Sequence, residues 1–201
     1  MKHSAMALGL VAALALSGCA TPPGPVAVTR FLAPERANEL GRGTVFIEAM
    51  PGIDSGPMAL APYKAAIAAE LVRLGYTESD RASATQIVQV GLQRGVIPAG
   101  DKRGPVSVGV GGSTGSYGSG LGVGIGINLG GGPKDRLATD LSVRITDKDG
   151  GASLWEGRAE FRPPEDSPLA RGQANAQTVA SALFRDFPGN NGETIEVKVS
   201  E

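Results

Sequence analysis

Residues 136–162 read RLATDLSVRITDKDGGASLWEGRAEFR, and the fold class follows from how this stretch alternates. Leu137, Leu141, Val143 and Ile145 are interleaved with Asp140, Ser142 and Arg144, the period of two expected of a half-buried strand. Asp147-Lys-Asp-Gly-Gly151 is a dense turn signal. Beyond it Trp155, Gly157, Ala159 and Phe161 alternate with Glu156, Arg158, Glu160 and Arg162. Two such runs around a glycine turn predict an antiparallel hairpin. A turn centred on Asp149 and Gly150 sets Ile145 opposite Trp155 and Arg144 opposite Glu156. The odd-numbered positions then face a core and the charged even positions face water.

Working outward, Pro163-Pro164 ends this hairpin, and Leu169 to Phe187 carries Val179, Ala180, Leu183, Phe184 and Phe187 on one helical stripe. Gln177, Ser181 and Arg185 fall on the opposite, water-tolerant side. Pro188-Gly189 stops the helix, and Thr194 to Val199 reads as a short final strand. On the N-terminal side, Thr85 to Arg94 alternates Val88, Val90 and Leu92 against Gln89, Gly91 and Gln93, another half-buried strand. Pro62 to Leu74 is predicted helical from the spacing of Tyr63, Ile67, Leu71 and Leu74, with Pro62 in the first turn and Gly75 as cap. Thr44 to Ala49 (TVFIEA) and Val26 to Phe31 read as strands, and residues 33–43 between them as a loop. The predicted architecture is α+β: a mostly antiparallel sheet with two amphipathic helices packed on one face.

Gly104 to Gly132 holds 13 of the chain's 30 glycines. Val106, Val108 and Val110 alternate with small residues, as do Leu121, Val123, Ile125, Ile127 and Leu129. That period predicts a glycine-rich hairpin turning at Gly115-Ser-Tyr-Gly-Ser-Gly120. Gly118, Gly122, Gly126 and Gly130 also recur every fourth residue, the spacing of a membrane glycine zipper. The alternating strand pattern fits better. Neither G-x-G-x-x-G nor G-x-x-x-x-G-K-[ST] occurs, so a phosphate-binding loop is not supported.

The first residues follow a different logic. Lys2 and His3 precede AMALGLVAALAL (Ala5 to Leu16), an apolar run too short to span a bilayer as a helix and typical of a secretory leader. It ends in Leu16-Ser17-Gly18-Cys19, which resembles the lipobox of bacterial lipoproteins. The resemblance implies acylation of the Cys19 sulfur and cleavage before it. Cys19 is the only cysteine of the chain, so no internal disulfide can form. Two or more acyl chains give stable anchoring. Ala20, rather than Asp, follows the cysteine, which by likeness to the enterobacterial sorting rule implies the outer membrane, facing the periplasm. The expected organisation is a cleaved leader at 1–18, a lipidated Cys19 with an extended tether at 19–25, and one domain at 26–201.

Loss of residues 1–18 removes Lys2 from 19 basic and 20 acidic residues, leaving a nearly neutral chain with no electrostatic footprint for nucleic acid. It also removes His3, the only histidine. Ser-His-Asp and Cys-His catalysis and His or Cys zinc sites are thereby excluded. Neither Lys64 nor Lys134 completes S-x-x-K. Glu156 and Glu160 are the best-placed carboxylate pair for histidine-free glycoside hydrolysis, but between Arg158 and Arg162 they read as an ion-paired surface. No catalytic, cofactor or metal residues are therefore expected, and no cofactor.

The order of these features resembles the DUF4136 family of bacterial lipoproteins of unknown function. It is carried by the lipobox, the helix ending Leu74-Gly75-Tyr76, TQIVQVGLQ (Thr85 to Gln93), the valine-glycine segment, and LWEGRA (Leu154 to Ala159) before an amphipathic helix. The resemblance implies an envelope location and this fold but no activity. The expected function is a non-enzymatic envelope lipoprotein that binds a protein, lipid or glycan at the outer membrane. Two alternatives are a membrane-associated assembly subunit that uses the glycine-rich hairpin, and a carboxylate-dependent hydrolase of envelope glycans.

Overall fold

The computed structural model describes residues 22–100, 106–115, 118–127, 134–149 and 151–200. Seven strands form one sheet: β1 (Val26–Leu32), β2 (Thr44–Ala49), β3 (Thr77–Glu78), β4 (Gln86–Ile97), β7 (Arg136–Asp147), β8 (Ser153–Phe161) and β9 (Glu193–Val197). Their spatial order is β3-β2-β4-β7-β8-β1-β9. The chain is α+β and the sheet is mostly antiparallel, as the alternation predicts. The parallel part is one edge, where β2 runs alongside both β3 and β4. Joining β2 to β4 in parallel requires a crossover, which α1 (Pro57–Arg73) provides.

The hairpin of β7 and β8 has the predicted register: Ile145 lies opposite Trp155 and Arg144 opposite Glu156, with an irregularity between Ile145 and Thr146 that absorbs the turn. Trp155 is fully buried, while Glu156 is half-buried and pairs with Arg144 at 3.0 Å. Arg162 bridges Asp140 at 2.9 Å and Glu160 at 3.2 Å on the same face. On the other face Val88, Val90, Leu141, Val143, Ile145, Trp155 and Phe161 form one apolar core with residues of both helices.

Two helix boundaries differ from the sequence reading. α1 starts at Pro57 rather than Pro62, so Pro62 lies inside the helix. Pro62 has no N–H to donate to the carbonyl of Met58, and that first-turn residue is exposed. The second helix, α2 (Gly172–Leu183), is shorter than the expected 169–187 and follows a 3-10 turn at Pro168–Ala170. Phe184 caps it, and Asp186 then turns left-handed at φ 54°. The chain thereby returns Phe187 to the core, its ring 5.2 Å from that of Trp155. A 3-10 turn at Pro34–Glu39 occupies the expected loop. Gln177, Ser181 and Arg185 are exposed and Val179, Ala180, Leu183 and Phe184 buried, as the helical stripe predicts.

The glycine-rich segment forms its own two-stranded antiparallel sheet of β5 (Val106–Gly115) and β6 (Gly118–Ile127). Residues 116 and 117 between them, and the flanks at 101–105 and 128–133, lie outside the described residues.

Candidate functional site

The leader and Cys19 lie outside the described residues; the tether enters them at Pro22. It is not free over its whole expected length of 19–25, because Pro23 is buried and Gly24 turns with φ +82°. A Cβ built at Gly24 would lie 4.0 Å from Nη1 of Arg136. Arg136 is the first residue of β7 and pairs with Ile97, the last of β4. The N-terminal chain and the root of the glycine-rich segment therefore meet at one end of the sheet. There β4 pairs with β7 through Gly95, Val96 and Ile97 opposite Ala138, Leu137 and Arg136. On the other side of β7 the ladder with β8, ending at Thr139, is followed by Leu137 donating to the Pro163 carbonyl at 3.0 Å and a bridge from Arg136 to Pro164. Val96 and Ile97 are 57% and 42% exposed, unusual for aliphatic side chains on a regular strand.

Charged groups surround this root. Lys134 pairs with Asp166 at 2.5 Å, and Arg171 pairs with Glu165. The bond from Lys134 holds the Asp166 carboxyl below the usual carboxylate range. Arg136 donates to the carbonyl of Arg162 at 2.5 Å, and Asp135 accepts from the backbone of Ala99 at 2.9 Å. These bonds clamp both chain segments at the points where they enter and leave the hairpin.

Glu156 and Glu160 lie four residues apart on β8, about 13 Å along the backbone at the strand rise. Each is engaged by arginine, as the sequence suggested. A second carboxylate pair, which the sequence did not reveal, lines a cleft of about 330 Å³ between Asn38, Glu39, Arg42, Gly43, Thr85, Gln86 and Asp147. Arg36 holds both acids, Glu39 at 2.7 Å and Asp147 at 2.8 Å. The Arg36 hydrogen bond outweighs desolvation and holds Glu39 below the usual carboxylate range. A general acid needs the opposite shift. The cleft is a structural clamp joining the 3-10 turn to the end of β7.

Two polar clusters were not legible in the sequence. Arg30, in an otherwise apolar position of β1, is fully buried. It bonds Glu193 at 2.8 Å and the carbonyls of Leu183, Ala182 and Arg185 at the end of α2. Asn175 is also fully buried. It accepts from Tyr63 Oη at 2.6 Å and from Thr139 Oγ1 at 3.2 Å, and donates to the Leu169 carbonyl at 2.8 Å. Burial raises the Tyr63 phenol above its ordinary value, keeping it a neutral donor. Both clusters join helices to sheet. Trp155 is likewise core: it stacks on Phe184 at 5.4 Å and donates to the Pro188 carbonyl at 3.0 Å.

Fold and site together define a class: a single-sheet α+β body whose N-terminal chain and glycine-rich hairpin leave from the same end. No family model matches the chain. An uncharacterized protein of Zymomonas mobilis is 30% identical over 64 residues, which is 32% of this chain and 24% of that protein. The match thus spans about a quarter of that relative. Among solved structures, a PDZ domain protein from Parabacteroides distasonis superposes with a TM-score of 0.50 at 18% identity, over 93% of this chain and 42% of that one. The PelC dodecamer from Paraburkholderia phytofirmans has a TM-score of 0.46 at 11% identity, over 79% of this chain and 94% of that one. At 18% identity the first likeness is one of fold alone, and the second carries no argument.

Proposed function

We propose that the chain is a non-enzymatic lipoprotein of the bacterial envelope, related to the DUF4136 family. In this reading residues 1–18 are a cleaved leader, and acylated Cys19 holds the body on the outer membrane, facing the periplasm. There the body binds another envelope component, a protein, lipid or glycan. The observation that carries the reading is Leu16-Ser17-Gly18-Cys19 at the end of a 12-residue apolar stretch, with the chain's only cysteine at the expected cleavage point. The seating of Pro23 supports it, because it leaves about three residues between the acylated position and the body. At about 3.3 Å each these span some 10 Å, so the body would lie directly on the membrane surface. Glu156, Glu160, Glu39 and Asp147 are each held by an arginine, which favours binding over hydrolysis.

The test is metabolic labelling with an alkyne palmitate analogue, combined with mass analysis of the mature N-terminus and density-gradient separation of the two membranes. The wild type should carry label, begin at Cys19 and band with the outer membrane. Cys19→Ser should lose label and stay unprocessed at this site. A mutant that is still processed and membrane-bound, or an unlabelled wild type, overturns the reading.

A further inference from the structure

From the register of β5 and β6 we infer that the glycine-rich hairpin crosses a lipid bilayer and pairs edge to edge with the same hairpin of further copies. Directly opposed residues of an antiparallel pair share a face. One face therefore holds the positions Val106/Ile127, Val108/Ile125, Val110/Val123 and Gly112/Leu121, followed by the polar pair Thr114/Ser119 next to the turn. The other holds Ser107/Gly126, Gly109/Gly124, Gly111/Gly122, Ser113/Gly120 and Gly115/Gly118. Seven aliphatic residues thus lie on one face, and only glycine and serine on the other. Transmembrane barrels use this division, apolar toward lipid and small or polar toward the lumen.

Length and flanking charge point the same way. Each strand has ten residues, about 33 Å at the strand rise, and a membrane-crossing strand needs about 9–11. No charged residue occurs from Gly104 to Pro133. Lys102 and Arg103 stand just before this run in the sequence and Lys134 and Arg136 just after it. The root lies beside Gly24, so an acylated Cys19 would sit at the entry to the same bilayer. Hydrocarbon also dictates the partner. A two-stranded ribbon has two unpaired edges, and each unsatisfied backbone group costs several kcal/mol in lipid, so the edges must close on one another. The partner with matching length and pattern is a second copy of this hairpin.

This inference takes the membrane's identity from the lipoprotein reading, and the test separates the two. The mature full-length chain is reconstituted into phosphatidylethanolamine–phosphatidylglycerol vesicles, with Val108→Cys, Val123→Cys, Ser107→Cys or Ser113→Cys carrying an environment-sensitive fluorophore. In one arm Cys19 is acylated and in the other it is Cys19→Ser; in both the new thiol is the only one free to label. Labels at 108 and 123 should be quenched several-fold more by spin-labelled lipid than those at 107 and 113, which aqueous iodide should reach. Native mass spectrometry of the extracted protein should show closed multimers. Alternation with no palmitate label in cells would sink the lipoprotein reading and leave the hairpin standing. Four labels equally open to iodide, labels at 108 and 123 shielded without lipid, or an exclusively monomeric extract would overturn the inference.

Discussion

Arg30→Met is the substitution that probes the structure most deeply, because it keeps the length of the buried stem and removes the charge. The guanidinium is fully buried and Glu193 is only 18% exposed. Three carbonyls from the end of α2 and one carboxylate converge on it. At a helix C-terminus a cation offsets the exposed carbonyl dipoles, an effect of up to about 2 kcal/mol when partly buried. Methionine would leave those carbonyls and Glu193 without their donor, and breaking a buried ion pair from one side costs about 3–5 kcal/mol. A domain of this size has about 5–15 kcal/mol in total, so the loss should lower the urea midpoint by a large fraction with an unchanged slope. Glu193→Gln should cost less, about 1–2 kcal/mol, because the amide oxygen can still accept from Arg30. The pH dependence identifies the carboxylate. Hydrogen bonds from Asn190 first, and then Arg30, hold Glu193 below the usual carboxylate range. A depressed folded value means the contribution is complete above the unfolded value near 4.3 and is lost as pH falls through the folded one. The difference between wild type and Glu193→Gln should stay constant near neutrality and shrink below about pH 4. An Arg30→Met loss under about 1 kcal/mol would refute the argument that this charge secures α2 to β1.

Other substitutions test the core and its polar ties by the same denaturation assay. Phe184→Ala removes a fully buried ring and should cost about 3–5 kcal/mol, whereas exposed Arg185→Ala should stay within about 0.5 kcal/mol; a neutral Phe184→Ala would remove the α2 end from the core. Gly157→Ala would place a Cβ 2.2 Å from the Trp155 ring and 2.8 Å from Leu183, an overpacking cost of about 1–3 kcal/mol. Gly95→Ala, with nothing within 4 Å, should be harmless, and equal effects at the two glycines would contradict the packing. Tyr63→Phe should cost about 1 kcal/mol and Asn175→Ala about 3 kcal/mol, since only the latter strands several buried partners at once; the reverse order would show that Asn175 is not the hub.

The sequence alone determined what depends on near neighbours. Alternation and a five-residue turn were enough to set β7 against β8 in the observed register, because a slip of one residue would bring Glu156 inward and Trp155 outward. Helical spacing likewise assigned the buried stripe of α2 and its wet side. The glycine-rich segment announced a hairpin for the same reason. Tertiary structure decided what depends on distant partners. The parallel edge of β2 and β4 exists only because α1 covers the crossover. Arg30 follows Val26 and Val28 in the alternation of β1, and nothing local shows its role, since its partners at 182–185 and 193 lie some 150 residues away in the chain. Asn175 was hidden in the same way: a polar residue on a buried stripe is tolerable only when Tyr63, Thr139 and Leu169 converge on it. Gly157 alternates with Trp155, Ala159 and Phe161 on the core face, and only tertiary packing sets the Trp155 ring and Leu183 where its Cβ would lie. Local pattern is set by backbone geometry and turn chemistry. A buried charge or a missing side chain is explained by what another part of the chain brings to it, and that is known only once the chain has folded.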